Sequence, residues 1–441
     1  MKNLINKFPQ KFATKNIGFI LFLSGIFFLP STLLIGSLFL LLSAIVGSFF
    51  HRVPYFRDKW NYPFLIFGTL ILISSLLQIS ILNNNYEDIW DPMLSIAGMG
   101  NWIPFIWMFW AFQPFLDSTS KRRIFALTLI SGSFPILITG FGQYFLNWTG
   151  PFETLHGLII WYQRPIVNPG GLSGLFNNQN YAGSWLNLIW PFCIALFIEK
   201  RNNFFKKTIA FSFLISTGLA AFLTFSRNAW LGLITSLPMV MGKKGVLIII
   251  SIILFILLIF FFSFSPFFSG ELQNNLRSLL TEKIILEFSE EGYQGLDSTR
   301  KEILLAAINL IKTSPIFGIG AASFSKIYLL ETNYWKGHSH NLLIELALSY
   351  GLPATILFFI TISLLLCLSG YGIFVNKQIS NFSLFDRAFW AALFFFLLSQ
   401  LADIQYFDGK ISIIAWILIA GLKNIIDEYS NKTKFLNKND N

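Results

Sequence analysis

Apolar segments about 20 residues long recur along this chain and leave few folds open to it. A helix needs about 20 mostly apolar residues to cross a bilayer. Hydrophobic residues make up 54% of the chain and charged residues 12%, about half the charged fraction of soluble domains. We therefore predict an all-α polytopic membrane protein with about twelve transmembrane helices, at roughly 15–30, 31–50, 63–82, 101–117, 123–147, 180–199, 207–225, 227–241, 245–264, 350–375, 386–403 and 411–428.

The basic residues are distributed as expected for a protein with both termini in the cytoplasm. If the first span runs outward, 22 of the 32 Lys and Arg fall on the cytoplasmic side, which is the side that positive residues favour. Acidic residues have the opposite bias, with 15 of the 22 Asp and Glu outside. The distribution accounts for the net charge of +10 without a nucleic-acid partner.

Two outer segments, 148–179 and 265–349, are long enough to carry function. In the second, Thr299 and Glu302 have the spacing of a capping box. Apolar residues then recur on one helical face before Pro315: Ile303, Leu304, Ala307, Leu310 and Ile311. A long loop with its own amphipathic helix is often functional. We predict transmembrane helices 1–9 over residues 1–264, a periplasmic catalytic loop over 265–349, transmembrane helices 10–12 over 350–428 and a cytoplasmic tail over 429–441.

Several kinds of site are excluded by the residues available. The two cysteines, Cys193 and Cys367, each lie within an apolar stretch, which argues against a disulfide framework or a thiolate metal site. The chain contains no Asp-x-Asp motif and no Walker A motif, which argues against a metal-dependent nucleotide-sugar enzyme and against ATP as the driver.

Two outer arginines are candidates for binding an anion. Arg227 lies at an outer turn between two apolar spans, where a cation either faces the bundle interior or acts as an interfacial anchor or helix cap. Arg300 lies in the first turn of the predicted loop helix. There the free backbone amides favour an anion, so a cation is unfavourable unless a phosphate or carboxylate binds too. The alternative is a solvated arginine or one paired with Asp297.

Two of the four histidines, His338 and His340, are separated by one residue in the outer segment. An imidazole can take up a proton near neutral pH, so either ring is a candidate general base. A His-x-His pair also suits a metal, but the sequence indicates no clear third ligand. A structural helix cap is the third alternative.

Side-chain amides form a further candidate site. Asn177 and Asn180 open the sixth predicted span after a glycine-rich loop, and Asn341 follows the second histidine. Amides of this kind hydrogen-bond sugars, but they also cap helices. Both interpretations stay open for these three residues.

Four blocks of sequence resemble the O-antigen ligase and O-antigen polymerase family of bacterial inner-membrane proteins. They are Gly174-Leu175-Phe176-Asn177-Asn178-Gln179-Asn180-Tyr181-Ala182-Gly183, Phe225-Ser226-Arg227, Arg300 with the downstream Ser314-Pro315-Ile316-Phe317-Gly318-Ile319-Gly320, and His338-Ser339-His340-Asn341 with Gly351. The blocks together cover residues 174 to 353, in the family's order.

The resemblance implies a metal-independent, inverting glycosyltransferase of the GT-C type in the bacterial inner membrane, without a cofactor. The donor would be a glycan linked to polyprenyl (undecaprenyl) diphosphate. The acceptor would be lipid A core in a ligase of lipopolysaccharide biosynthesis, or another glycan in a polymerase. The family's two arginines correspond to Arg227 and Arg300, which would bind the diphosphate, and its histidine to His340, with His338 as the alternative.

The competing hypothesis is a small-anion transporter, because a branch of the same family has been described as bicarbonate transporters. Such a protein would need ionisable residues at the midplane of the spans and, often, broken helices in matching halves. The predicted spans carry almost no charge away from their ends and the halves do not repeat. The sequence therefore favours the transferase.

Overall fold

We describe the protein from a computed structural model. The structure describes residues 7–80, 90–157, 159–167, 170–200, 203–264, 270, 300–375 and 384–439. Most of the first part of the predicted catalytic loop, including Thr299 and its predicted capping role, lies outside the described residues.

Helices account for most of the described chain. They are α1 (Lys7–Phe28), α2 (Leu33–Phe50), α3 (Asn61–Ser80), α4 (Met93–Met99), α5 (Ile103–Ala111), α6 (Thr119–Gly132), α7 (Phe134–Leu146), α8 (Gln179–Ile198), α9 (Phe204–Leu223), α10 (Arg227–Met241), α11 (Lys243–Phe264), α12 (Arg300–Thr313), α13 (Ser323–Thr332), α14 (Leu342–Tyr350), α15 (Leu352–Gly370), α16 (Leu384–Ser399) and α17 (Gly409–Asn439).

Seven described helical segments are long and apolar enough to cross a membrane: Leu33–Phe50, Asn61–Ile79, Thr119–Leu146, Gln179–Ile198, Phe204–Leu223, Leu352–Val375 and Gly409–Asn431. The apolar helix Asn16–Phe28 is shorter. This is the architecture of an all-α membrane protein, as predicted. Helices lie at all twelve predicted spans, but seven of them meet the length and hydropathy expected of a crossing. The count of twelve crossings, like the four-part division of the chain, stays a prediction.

The centre of the bundle is formed by α8 and α17. Helix α8 packs against α9, α10 and α16, whereas α17 packs against α5, α15 and α16. In α17, 89% of the apolar window is buried, compared with 28% in α2 and α9. The helices with broad apolar exposure therefore form the rim of the bundle.

One element of the outer segments was not predicted. Strands β1 (Phe152–Thr154) and β2 (Ile159–Trp161) form an antiparallel hairpin in the segment 148–179, with Phe152 opposite Trp161. Strands of three residues are too short for a recognisable alternation of apolar and polar side chains. The hairpin is one of the walls of a cavity described below.

The predicted amphipathic loop helix is confirmed as α12. It buries Ile303, Ala307, Leu310 and Ile311, and this apolar face packs against α13 and α14 in a second, smaller core. Two contacts fix the segment after α12 to α14 and to the start of α15: Ile319 N donates to Leu348 O at 2.7 Å, and Leu352 N donates to Pro315 O at 2.8 Å. The Pro-x-x-Gly-x-Gly block therefore positions α12 beside the histidine loop that precedes α14.

Buried ion pairs cross-link the bundle at the end that the charge distribution assigns to the cytoplasm. The Arg122 Nε–Asp386 Oδ1 distance is 2.5 Å and both side chains are 0% exposed. Arg122 also binds Glu428 at 2.8 Å, and Lys423 binds the buried Asp58 at 2.7 Å. Four chain segments thus meet through charge-assisted hydrogen bonds around the second half of α17.

Candidate active site

The histidine loop, residues 337–341, is held between α14 and the segment that follows α16. Asn341 is the N-cap of α14, where its Oδ1 accepts a hydrogen bond from Ile344 N at 3.2 Å. Its Nδ2 donates to Leu401 O at 2.8 Å, and Leu342 N donates to Gln400 O at 2.9 Å. The two loops are therefore fixed to each other by hydrogen bonds.

A buried carboxyl group in α14 also fixes the histidine loop. Glu345 is 5% exposed and its Oε2 accepts a hydrogen bond from Ser339 N at 2.8 Å. Burial raises the pKa of Glu345, while the hydrogen bonds from Ser339 act in the opposite direction. Glu345 thus positions the residue between the two histidines.

His340 forms the central contact of the site. Its Nδ1 lies 2.7 Å from Asp403 Oδ1, and Asn180 Nδ2 donates to Asp403 Oδ2 at 2.9 Å. His340 has φ of +57°, a conformation that is uncommon outside glycine and that often marks functional positions. Three distant parts of the chain, the histidine loop, the start of α8 and the end of α16, therefore meet at one carboxylate.

The electrostatics of this contact determine which nitrogen of His340 carries the proton. Burial would raise the pKa of Asp403, but the hydrogen bond with His340, the charges that His340 and His338 carry when they are protonated, and the charge of Arg300 outweigh it and lower that pKa. Asp403 is therefore a carboxylate, which only accepts hydrogen bonds. It follows that Nδ1 of His340 donates, and that the lone pair of the neutral ring is on Nε2.

His338 is packed against the same ring. Its Nδ1 accepts a hydrogen bond from His340 N at 3.1 Å, and the two ring centroids are 4.5 Å apart. Burial, the neighbouring His340 and Arg300 lower the pKa of His338 to about 4, against the opposing effect of Asp403. His338 is therefore uncharged at neutral pH.

Arg300 begins α12, which packs against α14, and its charge contributes to the pKa shifts of His338 and Asp403. Arg227 is the first residue of α10, and it is exposed. Helix α10 packs against α8 and α16, the two helices whose ends carry Asn180 and lead to Asp403. Both guanidinium groups are accessible at this end of the bundle.

The three candidate sugar-binding amides have different environments. Asn178, not Asn177 or Asn180, caps α8, since its Oδ1 accepts from the backbone amides of residues 180 and 181 at 2.9 and 3.2 Å. Asn180 binds Asp403, and both side-chain polar atoms of Asn341 bind the protein itself. Asn177 is exposed, so of the three it is the freest to contact a ligand.

Sequence reasoning missed Asp403. It lies 63 positions from His340, and no local motif links the two. The available signal was a carboxylate at the outer end of an otherwise apolar span, a position where a charge requires a partner. Asp403 also changes the argument about metal, because it supplies the third ligand that the sequence did not indicate.

His338, His340 and Asp403 each offer one ligand atom, and these atoms lie within 4.8 Å of one another. The 2.7 Å between His340 Nδ1 and Asp403 Oδ1 is a hydrogen-bond distance. Two atoms bound to one zinc ion at about 2.0 to 2.2 Å would be farther apart in tetrahedral geometry. The described geometry therefore favours an oriented imidazole over a metal site.

A cavity of about 320 Å³ adjoins His338 and is also lined by Asn101, Glu345, Ser349 and Tyr350. The Tyr350 hydroxyl is buried without a hydrogen-bond partner among the described residues. Burial raises the pKa of Tyr350, so its hydroxyl stays protonated. The site therefore combines an oriented imidazole, exposed cations and a mainly apolar cavity with a few polar side chains, which together suit proton transfer near an anionic ligand.

Comparison with known proteins gives one family match. Residues 209–359 match the family model described as O-antigen ligase. The matched segment contains Arg227, Arg300, His338 and His340, whereas Asp403 lies outside it. No curated protein matches the chain.

Proposed function

We propose that this chain, which residues 209–359 assign to the O-antigen ligase family, transfers a glycan from a polyprenyl-diphosphate carrier to a sugar hydroxyl at the outer face of the inner membrane. The acceptor is lipid A core in a ligation or a second glycan in a polymerisation. The observation that carries the proposal is the His340–Asp403 pair at 2.7 Å, with His338 packed against the same ring.

In the proposed reaction, Nε2 of His340 takes the proton of the acceptor hydroxyl as its oxygen attacks the anomeric carbon. The bond from that carbon to the diphosphate oxygen breaks, and the electron pair leaves with the diphosphate. Direct displacement inverts the anomeric configuration. Asp403 keeps the ring in the reactive tautomer and stabilises the imidazolium that forms, as the carboxylate does in other oriented imidazole bases.

The arginines act on the leaving group. A guanidinium forms paired, charge-assisted hydrogen bonds to phosphate oxygens, and Arg300 and Arg227 would hold the diphosphate from the loop helix and from the end of α10. Their attraction increases as negative charge develops on the departing oxygen, and this lowers the barrier. Because the two cations supply this stabilisation, the proposed reaction is independent of a metal ion.

The position of the site along the bundle supports an outer location. Asp403 and Asp408 precede α17, whereas Lys423 binds the ion-pair network. At 1.5 Å per residue, the start of α17 and Lys423 are separated by roughly 20 Å along the helix. The predicted topology assigns the network to the cytoplasmic side, so the active site lies toward the opposite face. The transporter alternative receives no support from the family match.

Orientation can be measured by cysteine labelling. Leu330 is exposed on α13, and the two native cysteines can be replaced to give a cysteine-free background. We expect Leu330→Cys in intact spheroplasts to react with a membrane-impermeant maleimide. Reaction only after permeabilisation would contradict the proposed outer location.

The function is tested by reconstituting the purified protein in proteoliposomes with isolated lipid-linked glycan and lipid A core. We expect a glycosylated acceptor and an equal amount of polyprenyl diphosphate. Gene deletion then separates the two acceptors. Lipopolysaccharide that keeps its core but carries no transferred glycan indicates a ligase, and retention of a single repeat on the core indicates a polymerase. Absence of transfer to either acceptor in vitro, with unchanged lipopolysaccharide in the deletion strain, would refute the proposal.

A further inference from the structure

A second and larger cavity, of about 680 Å³, lies beside the active site and contains none of the histidines or family arginines. One wall is the turn between α1 and α2, and another is the strand β2 with the residues that follow it. The third wall combines the loop before α8 with the start of α17. Elements from four parts of the chain thus enclose one space.

The polar groups of this cavity are held in place. Asp408 Oδ1 accepts hydrogen bonds from the amides of Lys410 and Ile411 at 2.9 and 3.2 Å. Lys410 Nζ donates to Leu175 O at 3.1 Å and lies 4.8 Å from the centroid of the Phe176 ring. The cavity wall therefore holds an acidic and a basic side chain in fixed positions, two residues apart at the start of α17.

One buried group in the wall has an unused hydrogen-bonding position. Gln163 is 2% exposed, and its Nε2 donates to Thr139 O at 2.6 Å. Its Oε1 has no hydrogen-bond partner among the described residues. An unsatisfied buried oxygen costs about 1 to 3 kcal/mol, which indicates that a donor, from water or from a ligand, completes it.

Aromatic side chains provide the rest of the lining. Trp161 is fixed by its Nε1, which donates to Ser31 O at 2.8 Å, whereas the neighbouring Tyr162 is 67% exposed. A pyranose has apolar C–H faces and a rim of hydroxyls, so it matches a pocket that combines rings with fixed amides and charges. A purely apolar lipid chain would add no polar contact to those that Asp408, Lys410 and Gln163 already make within the protein, and would displace water from them at a cost in free energy.

The cavity is connected to the catalytic pair through the first turn of α8. Asn177 lines the cavity, and Asn180, three residues later, binds Asp403. A saccharide in the cavity would therefore lie close to a sugar that reacts at His340.

We propose that this cavity is a saccharide subsite that binds a sugar unit of the transferred glycan or of the acceptor, next to the unit that reacts. The inference rests on the proposed glycan transfer and adds to it a location and a set of residues. The subsite extends the contact between protein and glycan beyond the reacting bond. Binding energy from such remote units can be used to align the reacting groups.

The test compares two variants of the cavity with a matched control. Tyr162→Ala and Asn177→Ala remove exposed lining groups, and Phe152→Ala removes a half-exposed aromatic side chain from the same hairpin outside the cavity. We expect each cavity variant to raise KM for one substrate roughly 3- to 10-fold, the effect of losing one or two hydrogen bonds or ring contacts, with kcat changed less than about twofold and the control unaffected.

A binding measurement separates the subsite from the chemistry. Calorimetric titration uses two probes, the lipid-free repeat oligosaccharide released from the donor and the lipid-free core oligosaccharide. The subsite is supported if both cavity variants, but not Phe152→Ala, bind one of the probes more weakly. The probe affected then shows whether the bound sugar belongs to the donor or to the acceptor. Binding of neither probe, or equal affinity in all three variants, would overturn the subsite. If wild-type protein bound a probe but transferred nothing, the proposed function would fail while the subsite remained.

Discussion

Replacing Asp403 by Asn tests whether this carboxylate sets the tautomer of His340. In the native site Asp403 accepts from His340 Nδ1 at 2.7 Å and from Asn180 Nδ2 at 2.9 Å. An asparagine has one oxygen and one NH₂ group in place of the two carboxylate oxygens. If its oxygen faces the Asn180 amide, its NH₂ faces His340 Nδ1, and the ring must then carry its proton on Nε2. The base is lost without a change in side-chain size.

The magnitude follows from what a positioned base contributes. General-base catalysis is worth about 10²- to 10⁴-fold in rate, which corresponds to roughly 2.7 to 5.4 kcal/mol in the barrier. Asp403→Asn also removes the negative charge that stabilises the imidazolium. We therefore expect kcat to fall by at least about 10²-fold, with the affinity for the lipid-linked donor nearly unchanged because the arginines remain.

The assay is glycan transfer under single-turnover conditions, and Asn180→Ala is the matched variant. Removing the Asn180 amide from the Asp403→Asn protein frees the new amide to rotate and accept from His340 Nδ1. We expect the double variant to recover part of the lost rate, whereas Asn180→Ala alone lowers it only modestly. A rate for Asp403→Asn within threefold of wild type would refute the tautomer argument.

Three further predictions concern the arginines, the buried ion pair and pH. Arg300→Lys and Arg227→Lys should each lower kcat/KM by about 10- to 100-fold in the transfer assay, because the lost paired hydrogen bond to a charged group is worth about 1.5 to 3 kcal/mol. Asp386→Ala leaves Arg122 buried without this carboxylate and should destabilise the protein by about 3 to 5 kcal/mol, seen as a lower unfolding midpoint in detergent. His338→Gln should leave the pH dependence of kcat between pH 5 and 7 unchanged: the pKa of His338 is lowered to about 4, so acidification over that range adds no proton to its ring.

Each of these predictions has an internal comparison. Near-wild-type activity in both lysine variants would remove the arginines from the site. For the ion pair, Glu199→Ala is the control, because its partner Arg123 is 36% exposed and a solvent-accessible pair contributes about 1 kcal/mol or less. An equal fall in unfolding midpoint for both alanine variants would contradict the argument from burial. If the fall in kcat on acidification from pH 7 to pH 5 disappeared in His338→Gln, that titration would belong to His338.

Features encoded in consecutive residues could be predicted from the sequence. The apolar face of α12 repeats with helical periodicity within 14 residues, and four of its five predicted positions are buried, whereas Leu304 is half-buried. Arg227, Arg300 and the histidine pair were selected because cations and imidazoles outside the membrane need a reason to be there. The structure packs the two histidine rings against each other, whereas the roles of Arg227, Arg300 and both histidines stay predictions.

Features that depend on contacts between distant segments could not be predicted. The Asp403 partner of His340 and the Asn180 partner of Asp403 are set by how α8, α14 and α16 pack, which no local pattern records. The β1–β2 hairpin has three residues in each strand, too few for a periodic signal. The large cavity likewise has walls from the turn between α1 and α2, the hairpin, the loop before α8 and the start of α17.

The most direct test of the account is transfer by wild-type protein and by His340→Ala, each exhaustively treated with a chelator and checked for bound metal by mass spectrometry. We predict that metal-free wild-type protein transfers glycan at the rate of untreated protein. We also predict that His340→Ala binds the donor normally but transfers it at least about 10²-fold more slowly. Loss of wild-type activity on chelation with recovery on adding a divalent ion, or near-normal transfer by His340→Ala, would contradict the claim that an imidazole oriented by Asp403 is the catalytic base.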